Sequence, residues 1–338
     1  MSGTTRPGRL ALRREEALEP GQPIVDAHHH LYDRPGHRYL LDEFLSDLRS
    51  GHDVRATVFV QARSMLRADG PEAMRPVGET EFASSVAAMC ARRGGVQACA
   101  AVVGQADLCL GDEVRPVLEA HVRAGDGRFR GIRHIAAWNP DGSLLNPAYR
   151  TSEHLLASPE FRAGFAHLEP LGLSFDAWIL FPQLPRLAAL ARAFPQTSIV
   201  LNHCGGIVLT GRHAQRREEV FAAWSAGLME LAACTNVMVK LGGLGMPLTG
   251  FGFDAREQSP SSAELAEAWR PWIEHCIETF GPARCMFESN FPADKSSYGY
   301  GIGWNAMKRI VAGASPDEKA DLFWRSAARF YRLRTLAP

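Results

Sequence analysis

The sequence predicts an α/β protein, a distorted (β/α)8 TIM barrel, and three observations lead to this fold. Eight short apolar stretches, mostly β-branched or aromatic, recur along the chain with helical patterns between them. Strands that alternate with helices form βαβ units and a parallel sheet. The 338 residues suit one large barrel, and no Gly-x-Gly-x-x-Gly motif follows the first strand, which argues against a dinucleotide-binding fold.

The predicted elements follow one another without a break in composition. Strands are predicted over 24–30, 56–61, 98–103, 129–134, 173–179, 198–203, 236–241 and 284–290. Helices are predicted over 39–50, 79–93, 112–124, 159–168, 184–193, 216–234, 263–280, 304–312 and 316–333. We expect residues 1–22 to form an N-terminal extension and residues 23–338 to form a single barrel domain, which ends in C-terminal helices.

Composition and charge favour a small-molecule partner. The chain has 37 acidic and 37 basic side chains, so no long-range field attracts nucleic acid or an anionic membrane. The seven cysteines are odd in number and form no Cys-x-x-Cys pair, which predicts reduced thiols in the cytoplasm. We identify neither a signal peptide nor an apolar run of about 18 residues that would suggest a membrane span.

The first strand ends in three consecutive histidines. Alternate residues of a strand share a face, so Asp26, His28 and His30 are expected to point the same way, with His29 turned towards the helices. Two imidazoles at this spacing can bind one metal ion. A histidine-rich surface turn is the alternative.

Polar and ionisable residues recur at the C-terminal ends of the other predicted strands. They are Arg63, Arg133, His134, Asp176, Trp178, His203, Lys240, Glu288 and Asn290. In a barrel all these strand ends meet at the face that carries the active site. The long loops 61–78, 242–262 and 291–303 belong to the same face, where such loops often bind ligands.

Three motifs resemble the amidohydrolase superfamily. They are His28-x-His30 at the end of the first strand, His203 at the end of the sixth, and a Ser-x-x-Pro turn, Ser289 to Pro292, after the eighth. The resemblance covers roughly residues 23–334. It is strongest to the amidohydrolase-related (amidohydrolase 2) branch that contains sugar-lactone and dicarboxylate-lactone hydrolases.

The resemblance implies a metal site with one departure from the family pattern. By position, His28, His30 and His203 are implied to bind one divalent ion per chain, zinc or manganese. Asn290 stands where the family usually has an aspartate that binds the metal and takes a proton from water, and a neutral amide cannot act as a base. This departure weakens the expectation of a metal. Glu288, two residues earlier on the same side of the strand, is a candidate for the missing carboxylate or else a buried structural acid.

The remaining candidates each have two interpretations. Arg133 suits bidentate binding of a substrate carboxylate, or it neutralises a buried acid such as Asp176. Arg63 and Lys240 are candidates for anion binding, unless they point outwards. His134 is a candidate general base, as are Glu288 and Asp176.

The favoured function is hydrolysis of a lactone or a related carboxylate-bearing cyclic ester. Water would attack the carbonyl, while Arg133 with Arg63 or Lys240 anchors a carboxylate and stabilises the oxyanion. Trp178 would wall the substrate pocket, or else fill the barrel core. The alternatives are a metal-dependent decarboxylase of an aromatic or unsaturated acid and a ligand-binding barrel without activity. Assembly into homo-oligomers is left open.

Overall fold

The structure, a computed structural model, describes residues 13–333, and most of the predicted N-terminal extension therefore lies outside the described residues. Its ten strands are β1 (Pro23–His29), β2 (Tyr32–Arg34), β3 (His37–Tyr39), β4 (Asp53–Val60), β5 (Gln97–Gly104), β6 (Phe129–Ile132), β7 (Ser174–Ala177), β8 (Ile199–Leu201), β9 (Val237–Leu241) and β10 (Cys285–Phe287). All but β2 and β3 form one parallel sheet in the order β1-β4-β5-β6-β7-β8-β9-β10. A parallel bridge between His29 and Phe291 brings the two edges together. The predicted (β/α)8 barrel is confirmed.

Helices lie between the strands and after the last one. They are α1 (Leu41–Leu48), α2 (Val77–Arg93), α3 (Arg115–Ala124), α4 (Pro159–Phe165), α5 (Leu184–Ala193), the single turn α6 (His203–Gly206), α7 (Arg217–Ala232), α8 (Ser262–Phe280), α9 (Tyr300–Ile310), α10 (Pro316–Ala320) and α11 (Ser326–Phe330). A π-helical turn, Asp321–Arg325, joins α10 to α11. No described helix is both long and apolar enough to cross a membrane, and all seven cysteines are free thiols.

The strands separate two hydrophobic layers. Ile24, Phe59 and Val102 pack in a large outer layer against the helices. Their neighbours Val25 and Val58 belong to a smaller inner cluster, which is built mainly from Val and Ala. This alternation is the period of two that strand geometry requires. Small side chains fill the barrel interior, which is therefore a packed core.

The C-terminal helix completes this inner cluster. Ala327 and Tyr331 are buried in it. The Tyr331 hydroxyl donates a hydrogen bond of 2.8 Å to Oδ2 of Asp176 on β7. Arg130, near the start of β6, donates from Nε to the Tyr331 carbonyl oxygen at 2.6 Å. The segment from Ala327 to Tyr331 is thus part of the barrel core.

The sequence interpretation missed one short element. Residues 32–39 form an antiparallel hairpin of β2 and β3, in a segment read as loop and helix start. Pro35 and Gly36 form its two-residue turn, and Gly36 has a φ of +76°, which glycine adopts without steric cost. The predicted helix over 39–50 is correspondingly shorter, because it begins at Leu41.

Candidate active site

A cavity of about 290 Å³ lies at the C-terminal ends of the strands. The lining residues include His30, Ala62, Arg133, Trp178, His203 and Asn290, together with Arg34 of the hairpin and residues such as Leu144, Tyr149 and Leu248. No aspartate or glutamate from the described residues lines it. A second concavity, of about 340 Å³, lies near Gln97 and Arg128 at the opposite ends of the strands and contains no histidine. The chemistry therefore concentrates at the face predicted from the strand ends.

Three imidazoles meet in and below this cavity, each with Nδ1 facing an oxygen. His30 Nδ1 is 2.7 Å from the Val60 carbonyl oxygen, and His203 Nδ1 is 2.6 Å from Oε1 of Glu288. His28 Nδ1 lies 2.9 Å from Oε2 of the same carboxylate. Because a carbonyl or carboxylate only accepts, the ring protons of His30 and His203 are assigned to Nδ1, and their Nε2 atoms keep the lone pair. Glu288 therefore orients His203 and lies beside His28, and its side chain is fully buried.

Burial keeps these imidazoles neutral. Burial is the main cause that lowers the pKa of His28 and His30 well below the ordinary histidine value, and nearby Arg133 adds to it. Burial also lowers the pKa of His203, although Glu288 opposes the shift. Neutral imidazoles with free Nε2 lone pairs can bind a metal ion or accept a proton.

Unusual backbone geometry presents two of the site residues. His203 and Asn290 follow the ends of β8 and β10 with φ values of +55° and +54°, in the left-handed region that non-glycine residues rarely occupy. Gly243, with φ +65°, leaves the space for His203, because a Cβ there would lie 2.5 Å from the imidazole ring. Strained backbone of this kind clusters at functional sites.

The donor atoms fit one divalent cation. Nε2 of His28 and Nε2 of His30 lie 3.2 Å apart, close to the separation of two nitrogens that each bind one zinc ion at about 2.1 Å. The ligand atoms of His28, His203 and Glu288 also lie within 4.8 Å of one another. Imidazoles held through the other ring nitrogen are typical of metal ligands.

Arg133 is a buried cation that borders the cavity. Its side chain is buried, Nη2 donates to the Gln61 carbonyl oxygen, and Nη1 lies 3.2 Å from Nε2 of His28. Nε has no hydrogen-bond partner among the described residues, and no carboxylate there pairs with the guanidinium. The guanidinium therefore competes with a metal ion for His28 and has capacity left for an anion.

Lys240, a candidate for anion binding, and Asp176, a candidate general base, contact each other below the site. Lys240 Nζ is 2.7 Å from Oδ2 of Asp176, and both side chains are fully buried. The same ammonium lies 3.3 Å from Nδ1 of His28. Neither residue lines the cavity.

The other predicted site residues divide between the cavity and the outside. Trp178 lines the cavity and contacts His203 edge-on, with ring centroids 4.7 Å apart. Arg63 is exposed, bonds to the Ala148 carbonyl oxygen and lies over the Tyr149 ring. His134 is not brought to the cavity, because β6 ends at Ile132 and its Nδ1 accepts a hydrogen bond from a backbone amide on the helix side.

Sequence reasoning missed a buried acid that shapes one wall. Glu79 on α2 accepts hydrogen bonds through Oε1 from the backbone amides of Ala62 (2.7 Å) and Ser64 (3.1 Å). Burial raises the pKa of Glu79 to about 7. The only signal in the sequence is an acid in the first turn of a helix, which is common and unspecific.

The comparisons with known proteins agree with this geometry. The profile described as Amidohydrolase matches residues 25–333, nearly the whole chain. The chain belongs to the amidohydrolase family. As an amidohydrolase it is an enzyme of the hydrolase class, as the sequence motifs predicted.

Relatives of this amidohydrolase include proteins with and without a named activity. An uncharacterised protein, y4mH, of Sinorhizobium fredii is 33% identical over 87% of this chain and 86% of its own length. An L-fucono-1,5-lactonase of Burkholderia ambifaria is 29% identical over 69% of this chain and 71% of its own. The crystal structure of a Burkholderia multivorans amidohydrolase with bound zinc has a TM-score of 0.70, with 25% identity, and covers 92% of this chain and 99% of that one.

Proposed function

We propose that this amidohydrolase opens a lactone or a related cyclic ester that carries a carboxylate, by attack of water on the ring carbonyl. The observation that carries the proposal is the unpaired guanidinium of Arg133 beside three neutral imidazoles. The lactonase activity named for the Burkholderia ambifaria relative supports the choice of an ester ring.

The substrate is an anion because the cavity carries positive charge without compensation. A buried guanidinium is costly unless an anion pairs with it. Arg133 has no carboxylate partner among the described residues, and its Nη1 contacts only His28, so Nη1 can donate to a substrate carboxylate. Arg34 adds a second guanidinium to the lining.

Much of the remaining lining is apolar and suits a single ring. Ile135, Leu144, Leu180 and Leu248 form this part, together with the Trp178 indole. A cavity of about 290 Å³ is at the lower end of the usual range for ligand pockets. A small monocyclic acid is therefore favoured over an oligosaccharide or a peptide.

His203 is the group best suited to take the proton of the attacking water. Its Nε2 lone pair is free, and it lines the cavity. Glu288, 2.6 Å from Nδ1, stabilises the imidazolium that results. Among the base candidates from the sequence, Glu288 thus acts through His203, while His134 and Asp176 lie away from the cavity.

His28 and His30 would hold a divalent ion through their Nε2 atoms. A bound ion would polarise the ring carbonyl and lower the pKa of water. Arg133 binds the carboxylate and orients the ring whether or not the ion is present. Zinc in the Burkholderia multivorans structure supports this assignment.

A panel of lactones with and without a carboxylate, assayed with a pH indicator and by mass spectrometry of the product, tests the function. We expect a ring-opened acid, one water heavier than the substrate, from carboxylate-bearing members. His203→Gln should reduce kcat by roughly 100-fold or more, since it removes the base. His167→Ala, on the surface, is the matched control.

The assay also separates the alternative reaction. A decarboxylase would release carbon dioxide and leave a product lighter than the substrate when offered aromatic or unsaturated acids. Carbon dioxide release with no lactone opening would overturn the proposal in favour of that reaction.

A further inference from the structure

Asp294 is a fully buried carboxylate that no sequence motif singled out. It lies in the 3₁₀ turn Ala293–Ser296 that follows β10. Its Oδ1 accepts a hydrogen bond from Nδ2 of Asn290 at 2.8 Å. Its Oδ2 accepts from the Tyr298 hydroxyl at 2.7 Å and from the Gly245 amide at 2.9 Å. All three neighbours donate to the carboxylate and lower its pKa, against the burial that raises the pKa of Asp294 to about 7.

This contact decides which way the Asn290 amide faces. A carboxylate can only accept, so the NH2 group of Asn290 must point at Asp294 and Oδ1 must point away from it. Asn290 lines the cavity, and its Oδ1 has no hydrogen-bond partner among the described residues. That oxygen is not one of the fully enclosed side-chain atoms that lack a hydrogen-bond partner. It therefore opens to the cavity.

We propose that Asp294 is a positioning residue that presents the Asn290 carbonyl oxygen to the cavity, and that its charge is the reason why position 290 carries an amide. The assignment deepens the proposed function, since it names the group that the last barrel strand offers to water, a substrate hydroxyl or a cation. It concerns the geometry of the site and does not depend on the reaction.

A carboxylate at position 290 would meet the carboxylate of Asp294. The two side chains are 2.8 Å apart at their closest atoms and both are buried. Two carboxylates that share a buried site cannot both stay ionised without strong repulsion. With Asp294 in place, an acid at position 290 would have to share a proton with it, so a second ionised carboxylate facing the cavity is disfavoured.

The residues around Asp294 fix the position of its side chain. A Cβ on Gly245 would lie 2.9 Å from the Cβ of Asp294 and 2.6 Å from the Tyr298 ring, so only glycine lets the amide approach. The loop after β9 is thereby fixed to the turn after β10. Asn290 has a φ of +54°, a conformation that asparagine and aspartate tolerate better than most residues. An exchange of the two side chains therefore leaves the backbone unstrained.

An exchange of the residues at positions 290 and 294 tests this assignment. We expect Asn290→Asp alone to lower the urea midpoint of unfolding, because it places two carboxylates in contact. Adding Asp294→Asn should restore the midpoint to near that of the wild type, since the hydrogen bond re-forms with donor and acceptor reversed. If Asn290→Asp cannot be recovered folded, recovery of the double variant as folded protein is the same result.

Asn305→Asp is the matched control. Asn305 is also a buried asparagine after the barrel, and its Nδ2 donates to Oε2 of Glu15 at 3.3 Å, so an acid there meets a different carboxylate. Asp294→Asn should not rescue Asn305→Asp. If Asp294→Asn restored the stability of both Asn290→Asp and Asn305→Asp, or of neither, the specific pairing of Asn290 with Asp294 would be overturned.

Zinc titration by calorimetry tests whether position 290 faces the cavity, which a purely structural pair would not affect. In the double variant Asn290→Asp/Asp294→Asn the negative charge faces the histidines, and we expect zinc affinity at least roughly tenfold above that of the wild type. Asp294→Asn alone should show no such gain. A stable double variant without the gain would overturn the assignment.

The same titration separates this inference from the proposed function. Zinc binding by the double variant but not by the wild type would support the positioning of Asn290 and would remove the metal from the proposed hydrolase. Lactone opening without any effect of the exchange would leave the hydrolase standing and overturn the role of Asp294.

Discussion

Arg133 and His134, which follow β6, lie on opposite sides of the sheet, although both were candidates for the site. Arg133 turns into the barrel mouth and contacts Gln61 and His28. His134 packs edge-on against Phe161 in the helix layer, with ring centroids 5.4 Å apart. Strand alternation explains the difference, since successive side chains point to opposite faces even one or two residues beyond the last ladder bond.

Replacement of Arg133 by methionine should remove recognition of the substrate carboxylate. Methionine fills similar space without charge, so we expect KM for carboxylate-bearing lactones to rise by roughly 30-fold or more. Steady-state kinetics check this value, with an uncharged lactone of the same ring size as the control. An equal loss for both substrates would assign Arg133 to the architecture of the site instead.

Replacement of His28 and His30 together by alanine should abolish retention of a divalent ion. These residues supply the two Nε2 atoms that lie 3.2 Å apart. Metal content after purification without chelators is measured by mass spectrometry, with His167→Ala as the surface control. Unchanged zinc or manganese content in the double variant contradicts the ligand assignment.

At the scale of elements, the seam between the last and first strands has its own set of polar contacts. Asp26 on β1 is fully buried, and its carboxylate accepts from the backbone amide of Ser289 at 2.9 Å and from the Ser289 hydroxyl at 2.6 Å. Tyr300 on α9 donates to the same group at 3.0 Å. These hydrogen bonds take the place of the continuous row of backbone hydrogen bonds that joins other neighbouring strands. They place Glu288 and Asn290 beside His28.

Ser289→Ala should therefore destabilise the fold measurably. The change leaves one oxygen of a buried carboxylate with a single donor, which costs about 1–3 kcal/mol. Urea unfolding of the variant measures the loss. Ser85→Ala, which removes an exposed hydrogen bond of 2.9 Å within α2, is the control and should stay within about 0.5 kcal/mol of the wild type.

The barrel strands were predictable because apolar, β-branched runs leave few alternatives to buried parallel strands. α5 was predicted residue for residue, since a proline at its second position and the leucine spacing mark it. The hairpin β2–β3 was missed, although Pro35-Gly36 is a turn signal, because the flanking strands are short and polar. Asp294 and Glu79 were not found, since the backbone amides that they bind, of Gly245 and of Ala62 and Ser64, belong to other loops.

Histidine positions within the site were predictable, but their roles were not. The motif His28-x-His30 and His203 predicted convergence, which the structure shows. That Glu288 serves His203, and that Lys240 pairs with Asp176, depends on register between β7, β8, β9 and β10. Register is a property of the closed sheet and has no local signature.

For the whole molecule, buried neutral histidines set the acid limit of stability. Burial lowers the pKa of His121 to about 4, although the hydrogen bond to the Gln105 carbonyl oxygen opposes the shift. A histidine whose folded pKa lies below its unfolded value of about 6.5 contributes stability above pH 6.5, and this is lost as the pH falls towards 4. The loss for one such group is about 2 kcal/mol between pH 7 and pH 5.

His121→Gln should make the stability of the protein less dependent on pH. Glutamine keeps a donor and an acceptor but does not titrate, so the decrease in unfolding free energy between pH 7 and pH 5 should shrink by about 2 kcal/mol. Urea unfolding at several pH values measures both proteins. If the unfolding free energies of the variant and the wild type changed with pH in the same way, His121 would titrate normally in the folded state.

The hydrogen bond from Tyr331 to Asp176 has a consequence for biosynthesis. The buried pair of Asp176 and Lys240 is complete only when a residue near the end of the chain enters the barrel. A ribosome releases the chain from its N-terminus, so every strand of the sheet is already outside while the floor of the barrel still lacks its last side chain. The barrel can therefore become fully stable only after every strand and the segment around Tyr331 have left the ribosome.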